Sequence, residues 1–156
     1  MDRAKQALFK SALEPQGESR FEPTSYGFRP GRKPADAIKA IWNSLFRKAK
    51  WVLDADIEKC FDRIDHEYLL KKLGYETNSL IYQQIHAWLK AGILERGQPF
   101  PGTNPGGTPQ GGVISPLLAN IALDGMIESI AQAVEKHHGK QAVGNTSTSI
   151  GMQMIL

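Results

Sequence analysis

The chain has 156 residues, 41% of them hydrophobic and 22% charged, and it carries a formal net charge of +3 at pH 7. Such a composition is typical of one soluble globular domain, excludes a low-complexity chain, and is compatible with a polyanionic partner without requiring one. The single cysteine, Cys60, excludes an internal disulfide, and no apolar run approaches the length needed to span a bilayer, so we expect a cytoplasmic protein without membrane contact.

Helical spacing of apolar residues predicts two helices in the first third of the chain. The first covers residues 2–13 and is closed by Pro15 and Gly17, and the second covers residues 35–49. Between them lies a turn-rich basic segment, residues 26–34, in which aromatic side chains flank a glycine and cations surround two prolines. Arginines beside aromatics can clamp phosphates and stack on bases. The alternative is a turn whose aromatics pack inward and whose cations face water.

The middle of the chain contains the best strand candidate, Trp51–Ile57, whose apolar residues alternate with Asp54 and Asp56. Two acids on a mostly apolar strand are costly to bury without a cation, and a carboxylate at a strand end suits a hard divalent ion such as Mg²⁺. A solvated acidic strand end is the alternative. Residues 69–73 and 81–91 are predicted to be helical.

The last third of the chain contains a glycine-rich segment followed by a long predicted helix. A short hairpin strand is predicted within Lys90–Gln98. Glycines dominate residues 105–116, where they let the backbone pass close to a ligand, and the helix begins at Ser115–Pro116. The alternative is an ordinary hinge that leads into a capped helix. The helix is predicted to end before an atypical tail, residues 137–156.

Three segments, taken in order, resemble successive motifs of group II intron-encoded reverse transcriptases. Ser25–Arg32 resembles the second sequence block of that family, Leu53–Asp62 resembles polymerase motif A, and Gly107–Ile121 resembles the fourth block almost letter for letter. The resemblance implies an α+β fold, a partial fingers–palm of a right-hand polymerase that is helix-rich with a small antiparallel sheet. It also divides the chain into a partial reverse transcriptase domain, residues 1–136, and the tail, residues 137–156.

The resemblance implies the activity of an RNA-directed DNA polymerase, with Mg²⁺ as cofactor. The implied partners are an RNA template or intron RNA, a DNA primer and deoxynucleoside triphosphates. By the same resemblance, Asp56 would be the catalytic carboxylate and metal ligand. The other implied contacts are to the incoming nucleotide through Ile57, Phe61, Gln110 and Gly111, and to nucleic acid through Arg29, Arg32 and Lys33.

The sequence departs from the family pattern after the long predicted helix. The Tyr-Ala-Asp-Asp motif, which supplies the other metal-binding carboxylates of the family, is absent, and nothing between Gly139 and Leu156 is an aspartate. Two Mg²⁺ ions need several carboxylates to offset their mutual repulsion, so Asp56 alone is expected to bind the metal weakly and the chain alone to be catalytically incomplete. We expect a truncated or frameshifted internal fragment, whose open sheet edge would favour self-association. The alternatives are a non-catalytic RNA-binding (maturase-like) module and a non-functional remnant.

Overall fold

The computed structural model describes residues 3–46, 56–90, 94–95, 98–99 and 112–138. The chain divides into two compact units. Unit 1 is formed by residues 1–19 and 57–122, and unit 2 by residues 20–56 and 123–156. Almost all of the predicted tail lies outside the described residues, so the domain boundary at residue 136 stays a prediction.

Helices dominate the described residues. The elements in chain order are α1 (Arg3–Glu18), α2 (Pro34–Leu45), α3 (Cys60–Arg63), α4 (His66–Leu73), α5 (Leu80–Lys90), β1 (Leu94–Glu95), β2 (Gln98–Pro99), α6 (Ser115–Leu123) and α7 (Met126–His138). The two short strands are antiparallel, with Leu94 opposite Pro99 and Glu95 opposite Gln98. The helices predicted around residues 69–73 and 81–91 are confirmed as α4 and α5.

The limits of α4 follow directly from its flanking residues. Asp65 caps the first turn, because its Oδ1 accepts a hydrogen bond from the Tyr68 backbone N–H at 2.6 Å. Gly74 ends the helix at φ 74°, and its N–H donates to the carbonyl of Lys71 at 3.1 Å. Glycine adopts this left-handed conformation without a Cβ penalty, so it is well suited to end the helix.

The core of unit 1 is built from apolar side chains of α1, α4, α5 and α6. Leu69 and Ile85 are completely buried, and Ile114 and Leu118 are 2% exposed. They are joined by Leu13, Ile64, Leu70, Leu73, Trp88, Leu89, Leu117, Ala119 and Ala122. Full burial of each large apolar side chain contributes about 1.5–3 kcal/mol. This core fixes α6, and with it the residues that lead into α6 from the glycine-rich segment.

Helix α1 is longer than the sequence predicts. Pro15 was expected to close it, but the helix continues past Pro15 to Glu18. The Ser19 backbone N–H donates to the Pro15 carbonyl at 3.2 Å, and the Ser19 hydroxyl donates to the Gln16 carbonyl at 2.8 Å. Gly17 is buried. These contacts offset the one hydrogen bond that a proline nitrogen cannot donate within a helix.

Helix α2 is confirmed over Pro34–Leu45, but its apolar face is not part of a core. Proline is favoured at the first helical position, where its missing N–H costs nothing. Ile38 is 63% exposed and Trp42 is 66% exposed, while Ala37 is the buried residue of the helix. Sequence spacing therefore predicted the helix correctly without predicting which face is buried.

The long helix predicted after Ser115 is divided in two. Gly125, at φ 79°, breaks the chain between α6 and α7. The stretch Ser115–Val134 has a mean hydropathy of 1.3, and by length and composition alone it is apolar and long enough to cross a membrane. The expectation that no apolar run approaches this length is therefore wrong. The break leaves helices of 9 and 13 residues. A span needs about 20 helical residues, and α6 is mostly buried in the core of unit 1.

The predicted small antiparallel sheet is wrong for the part of the chain that the structure describes. Asp56 and Ile57, the described end of the strand candidate, are not in a strand, and residues 51–55 lie outside the described residues. Within the described residues, extended structure is limited to the antiparallel pair β1 and β2, which has two residues in each strand and does not include the strand candidate. A sheet needs three or more strands or a packed helix for independent stability. The described architecture is therefore helix-rich rather than α+β, and it gives no support to self-association through an open sheet edge.

Candidate functional site

The residues that follow Asp56 form a tight turn and the short helix α3. Lys59 lies in the left-handed region at φ 52°, which costs a non-glycine residue roughly 1–2 kcal/mol. Its carbonyl accepts hydrogen bonds from the N–H groups of Asp62, at 2.9 Å, and Arg63, at 3.1 Å. Ile57, just before the turn, is half-buried. The hydrogen bonds stabilise the turn and fix the path of the backbone after Ile57.

Phe61 has a defined position because its neighbour in α3, Cys60, is buried within unit 1. Cys60 is buried, and burial raises the pKa of its thiol. A thiol held in its protonated form is a poor nucleophile and metal ligand, so Cys60 acts as an apolar packing residue. The Phe61 side chain is half-buried. Its ring therefore lies at the surface of unit 1 on a helix that the core holds in place.

Asp56 is exposed, and it is the last residue of the first segment of unit 2. A carboxylate followed by a backbone carbonyl offers the oxygen ligands that Mg²⁺ prefers, and Mg²⁺ commonly takes only one or two carboxylates from the protein. The residue types present therefore fit this ion. Within the described ranges, no group of three or more His, Cys, Asp or Glu side chains could hold a metal. This part of the chain thus offers one carboxylate of a metal site and not a complete site.

Arg29 is buried, although the family resemblance implies that it contacts nucleic acid. Only 6% of the residue is exposed. Its Nη1 donates to the carbonyl of Glu22 at 2.7 Å and to the carbonyl of Ser25 at 3.0 Å, and its guanidinium lies 5.3 Å from the centre of the Phe21 ring. Hydrogen bonds from charged groups contribute about 1.5–3 kcal/mol each. The structure therefore gives Arg29 a part in stabilising the basic segment, and its predicted contact with nucleic acid stays untested.

Arg32 and Lys33 are more accessible than Arg29. The Nη1 of Arg32 donates to the carbonyl of Ser25 at 3.0 Å and also to that of Pro23, and its guanidinium lies 5.1 Å from the centre of the Tyr26 ring. Arg32 is half-buried and Lys33 is exposed. The three predicted cations thus lie on one loop of unit 2, where Lys33 is the one most open to an anionic partner.

Glu22 connects the basic segment to the start of α7, and sequence reasoning missed it. Its Oε1 accepts a hydrogen bond from the backbone N–H of Glu128 at 3.3 Å. Burial raises the pKa of the Glu22 carboxyl, and the charge of Asp124 adds to this, while hydrogen bonds from the first turn of α7 lower it in part. An isolated acid before a turn gives no sequence signal for such a contact.

Replacing Glu22 with Gln is expected to raise the free energy of unfolding at neutral pH. The pKa of the Glu22 carboxyl in the folded state lies above its ordinary value, so the folded state binds more protons than the unfolded state. The stability that the folded state gains from this bound proton is complete below the pKa that Glu22 has in the unfolded state. It is lost as the pH rises through the pKa that Glu22 has in the folded state. Gln keeps the acceptor oxygen for the Glu128 N–H without placing a charge in this half-buried position. Urea unfolding from about pH 4 to pH 7 should show a flatter pH dependence for Glu22→Gln. An unchanged dependence would refute this role.

Two of the predicted nucleotide contacts, Gln110 and Gly111, lie outside the described residues, and the structure resumes at Gly112. The backbone N–H of Val113 donates to Oε1 of Gln6 at 2.8 Å. The sequence gives no signal for the burial of Gln6, because a glutamine in an amphipathic helix is normally exposed. The described part of the chain thus places Ile57, Phe61 and this flank of the glycine-rich segment in unit 1.

Comparison with known proteins places these residues in a family context. A family model described as "Reverse transcriptase (RNA-dependent DNA polymerase)" matches residues 1–145. The chain is 39% identical over 132 residues to the group II intron-encoded protein LtrA of Lactococcus lactis subsp. cremoris, which covers 84% of this chain and 22% of LtrA. It is 36% identical over 129 residues to protein YkfC of Escherichia coli, covering 79% of this chain and 33% of YkfC.

A fungal relative aligns over an even larger part of the chain. An uncharacterised 91 kDa protein in the cob intron of Schizosaccharomyces pombe is 33% identical over 149 residues, which cover 95% of this chain and 18% of that protein. The chain therefore spans between 18% and 33% of the length of these relatives. Since the family model matches nearly all of the chain, the protein belongs to the reverse transcriptase (RNA-dependent DNA polymerase) family, among its group II intron-encoded members.

Proposed function

We propose that this chain provides fingers and palm residues of an RNA-directed DNA polymerase encoded by a group II intron. The observation that carries the proposal is the family match over residues 1–145, which contains all three motifs in their expected order. The group II intron relatives imply an RNA template. In the proposed reaction, a DNA primer is extended with deoxynucleoside triphosphates on that template.

Asp56 is the proposed catalytic carboxylate and metal ligand, with the carbonyl of Ile57 as a second oxygen ligand. Members of this family generally use Mg²⁺, and an exposed carboxylate with a neighbouring carbonyl fits that ion. A bound Mg²⁺ would offset the negative charge of the nucleotide phosphates. With a single carboxylate in place, we expect weak metal binding, so the chain alone is proposed to be catalytically incomplete.

Phe61, Gln110 and Gly111 are the proposed contacts to the incoming nucleotide. Phe61 is half-buried, and its neighbour Cys60 belongs to the buried core, so α3 fixes where the ring begins. An aromatic face under the sugar would clash with a 2′-hydroxyl, which favours deoxynucleotides. The glycines around Gln110 let the backbone approach a ligand closely.

The metal part of the proposal is tested by measuring how Mg²⁺ changes the affinity of the chain for dTTP. Asp56→Asn removes the charge but keeps the shape of the side chain, and Asp62→Asn is the matched control because Asp62 is also exposed and close in sequence. We expect Mg²⁺ to strengthen binding by about tenfold in the unaltered chain and in Asp62→Asn, and to have no effect in Asp56→Asn. Equal Mg²⁺ effects in all three chains would show that Asp56 is not the metal ligand.

A second candidate function, non-catalytic RNA binding, is favoured by the exposed Lys33 beside the half-buried Arg32 on the basic segment. Cations that contact phosphates release counterions, so the affinity for RNA falls as salt rises. Lys33→Gln is expected to weaken binding of a structured intron RNA and to reduce the slope of log K against log salt by about 0.7–0.9. Fluorescence anisotropy over a salt series measures this, with the exposed Lys90→Gln in unit 1 as control. Identical slopes for Lys33→Gln and the unaltered chain would exclude this contact.

A further inference from the structure

Phe28 combines two features that are unfavourable for a large apolar residue. Its backbone lies in the left-handed region at φ 53°, and 50% of the residue is exposed. The left-handed conformation strains a bulky side chain, and exposure leaves much of its apolar surface in water. Among the described residues, Lys59 is the other non-glycine residue with a positive φ. Stability alone would favour glycine or asparagine over an aromatic residue at position 28.

The basic segment holds the backbone of Phe28 in place from both sides. Gly27 and Arg29 are both buried, and the Arg29 guanidinium donates to two backbone carbonyls. The backbone N–H of Arg32 donates to the carbonyl of Arg29 at 3.4 Å and closes the next turn. A strained residue persists where its surroundings fix it, and such residues are common in ligand-binding sites. The base of the Phe28 ring is therefore fixed before any ligand binds, which lowers the entropy cost of binding.

The cations of the same segment indicate the chemistry of the ligand. Lys33 is exposed and Arg32 is half-buried. Phe28 directly precedes the turn Arg29–Arg32 and Lys33 directly follows it, and the two ends of such a turn lie less than about 7 Å apart. An aromatic ring beside positive charges matches an unpaired base, which stacks on the ring while its phosphate attracts the cations.

We propose that Phe28 stacks on an unpaired base of single-stranded RNA. The inference rests on the RNA binding proposed above and adds to it the form of RNA that the basic segment selects. Bases in a duplex already stack on one another, so their faces are not available to a side chain. The cations attract the phosphates of either form, whereas the ring contributes only to binding of the single strand.

The proposal is tested with the full chain by fluorescence anisotropy, using a short labelled single-stranded RNA of mixed sequence and the duplex of the same sequence. Phe28→Leu keeps an apolar side chain but has no flat face. It is expected to weaken binding of the single strand by about tenfold and binding of the duplex by less than about twofold. Phe28→Tyr and Phe28→Trp keep an aromatic face and should retain the affinity. The matched control is Tyr68→Leu in unit 1, which removes a ring that is 52% exposed and should change neither affinity.

A second variant separates stacking from a structural role of Phe28. Asparagine tolerates the left-handed region, so Phe28→Asn should not lower the midpoint of urea unfolding, yet it should weaken binding of the single strand as much as Phe28→Leu does. A loss of affinity that occurs only in variants with a lower urea midpoint would show that the ring supports the fold, and would overturn the inference.

A salt series distinguishes failure of this inference from failure of RNA binding itself. Loss of stacking should lower the affinity for the single strand by the same factor at every salt concentration, whereas Lys33→Gln should reduce the salt slope. If Lys33→Gln weakened binding and Phe28→Leu did not, stacking would be overturned and RNA binding would stand. If the unaltered chain bound neither RNA, both proposals would be overturned.

Discussion

Arg29→Met is expected to lower the free energy of unfolding by about 3 kcal/mol. Methionine has a similar length but cannot donate hydrogen bonds, so the carbonyl of Glu22 loses its charged donor at 2.7 Å. The carbonyl of Ser25 keeps the second donor, Arg32, at 3.0 Å. The loss of the guanidinium over the Phe21 ring adds a smaller cation–π contribution. Urea unfolding of the full chain measures the change.

Two further variants decide how Arg29 acts. Lys33→Met removes an exposed cation from the same loop and should change the free energy of unfolding by no more than about 0.5 kcal/mol. Arg29→Lys keeps the charge but not the planar fork of donors, so its stability is expected to fall between that of the unaltered chain and Arg29→Met. If Arg29→Met were as stable as the unaltered chain and instead bound RNA more weakly, Arg29 would be a nucleic-acid contact after all.

The sequence suggested that the arginines of the basic segment bind phosphates, and that prediction stays untested. A guanidinium that suits a phosphate also suits two backbone carbonyls, which are what Arg29 contacts in the structure. The choice between them depends on burial, which a single sequence does not contain. Arg29 is therefore held inside the loop, while Lys33, next to it in the motif, is exposed.

Elements with local signals were predicted, and elements that depend on distant partners were not. Asp65 and Gly74 mark the ends of α4 through contacts within a few residues, and the helix predicted over residues 69–73 has the correct end but begins three residues earlier, at His66. The break at Gly125 was missed because apolar spacing continues across it into α7. The sheet was predicted wrongly and the burial of Gln6 was not predicted, and both have the same cause. Strand pairing and long-range hydrogen bonds join residues that are far apart in the chain, so no local pattern reveals them. The three motifs in their expected order identified the family correctly, whereas the fold class was predicted wrongly.

Asp56→Asn is expected to reduce DNA synthesis by about a hundredfold or more once the rest of a polymerase is present. The amide keeps the size of the carboxylate but loses the charge that attracts Mg²⁺. Asp62→Asn removes an equally exposed charge nearby and should retain most of the activity. The contrast between the two variants matters more than either rate alone, since a general effect of charge would reduce both.

The most direct test of the account is RNA-templated primer extension by a chimera. Residues 1–145 of this chain replace the aligned segment of a full-length group II intron-encoded relative, and correct folding is checked first by cooperative thermal unfolding. We predict Mg²⁺-dependent extension with deoxynucleotides that Asp56→Asn abolishes and Asp62→Asn preserves. A folded chimera that makes no DNA, or whose synthesis is undiminished by Asp56→Asn, would contradict the assignment of this chain to the fingers and palm of an RNA-directed DNA polymerase.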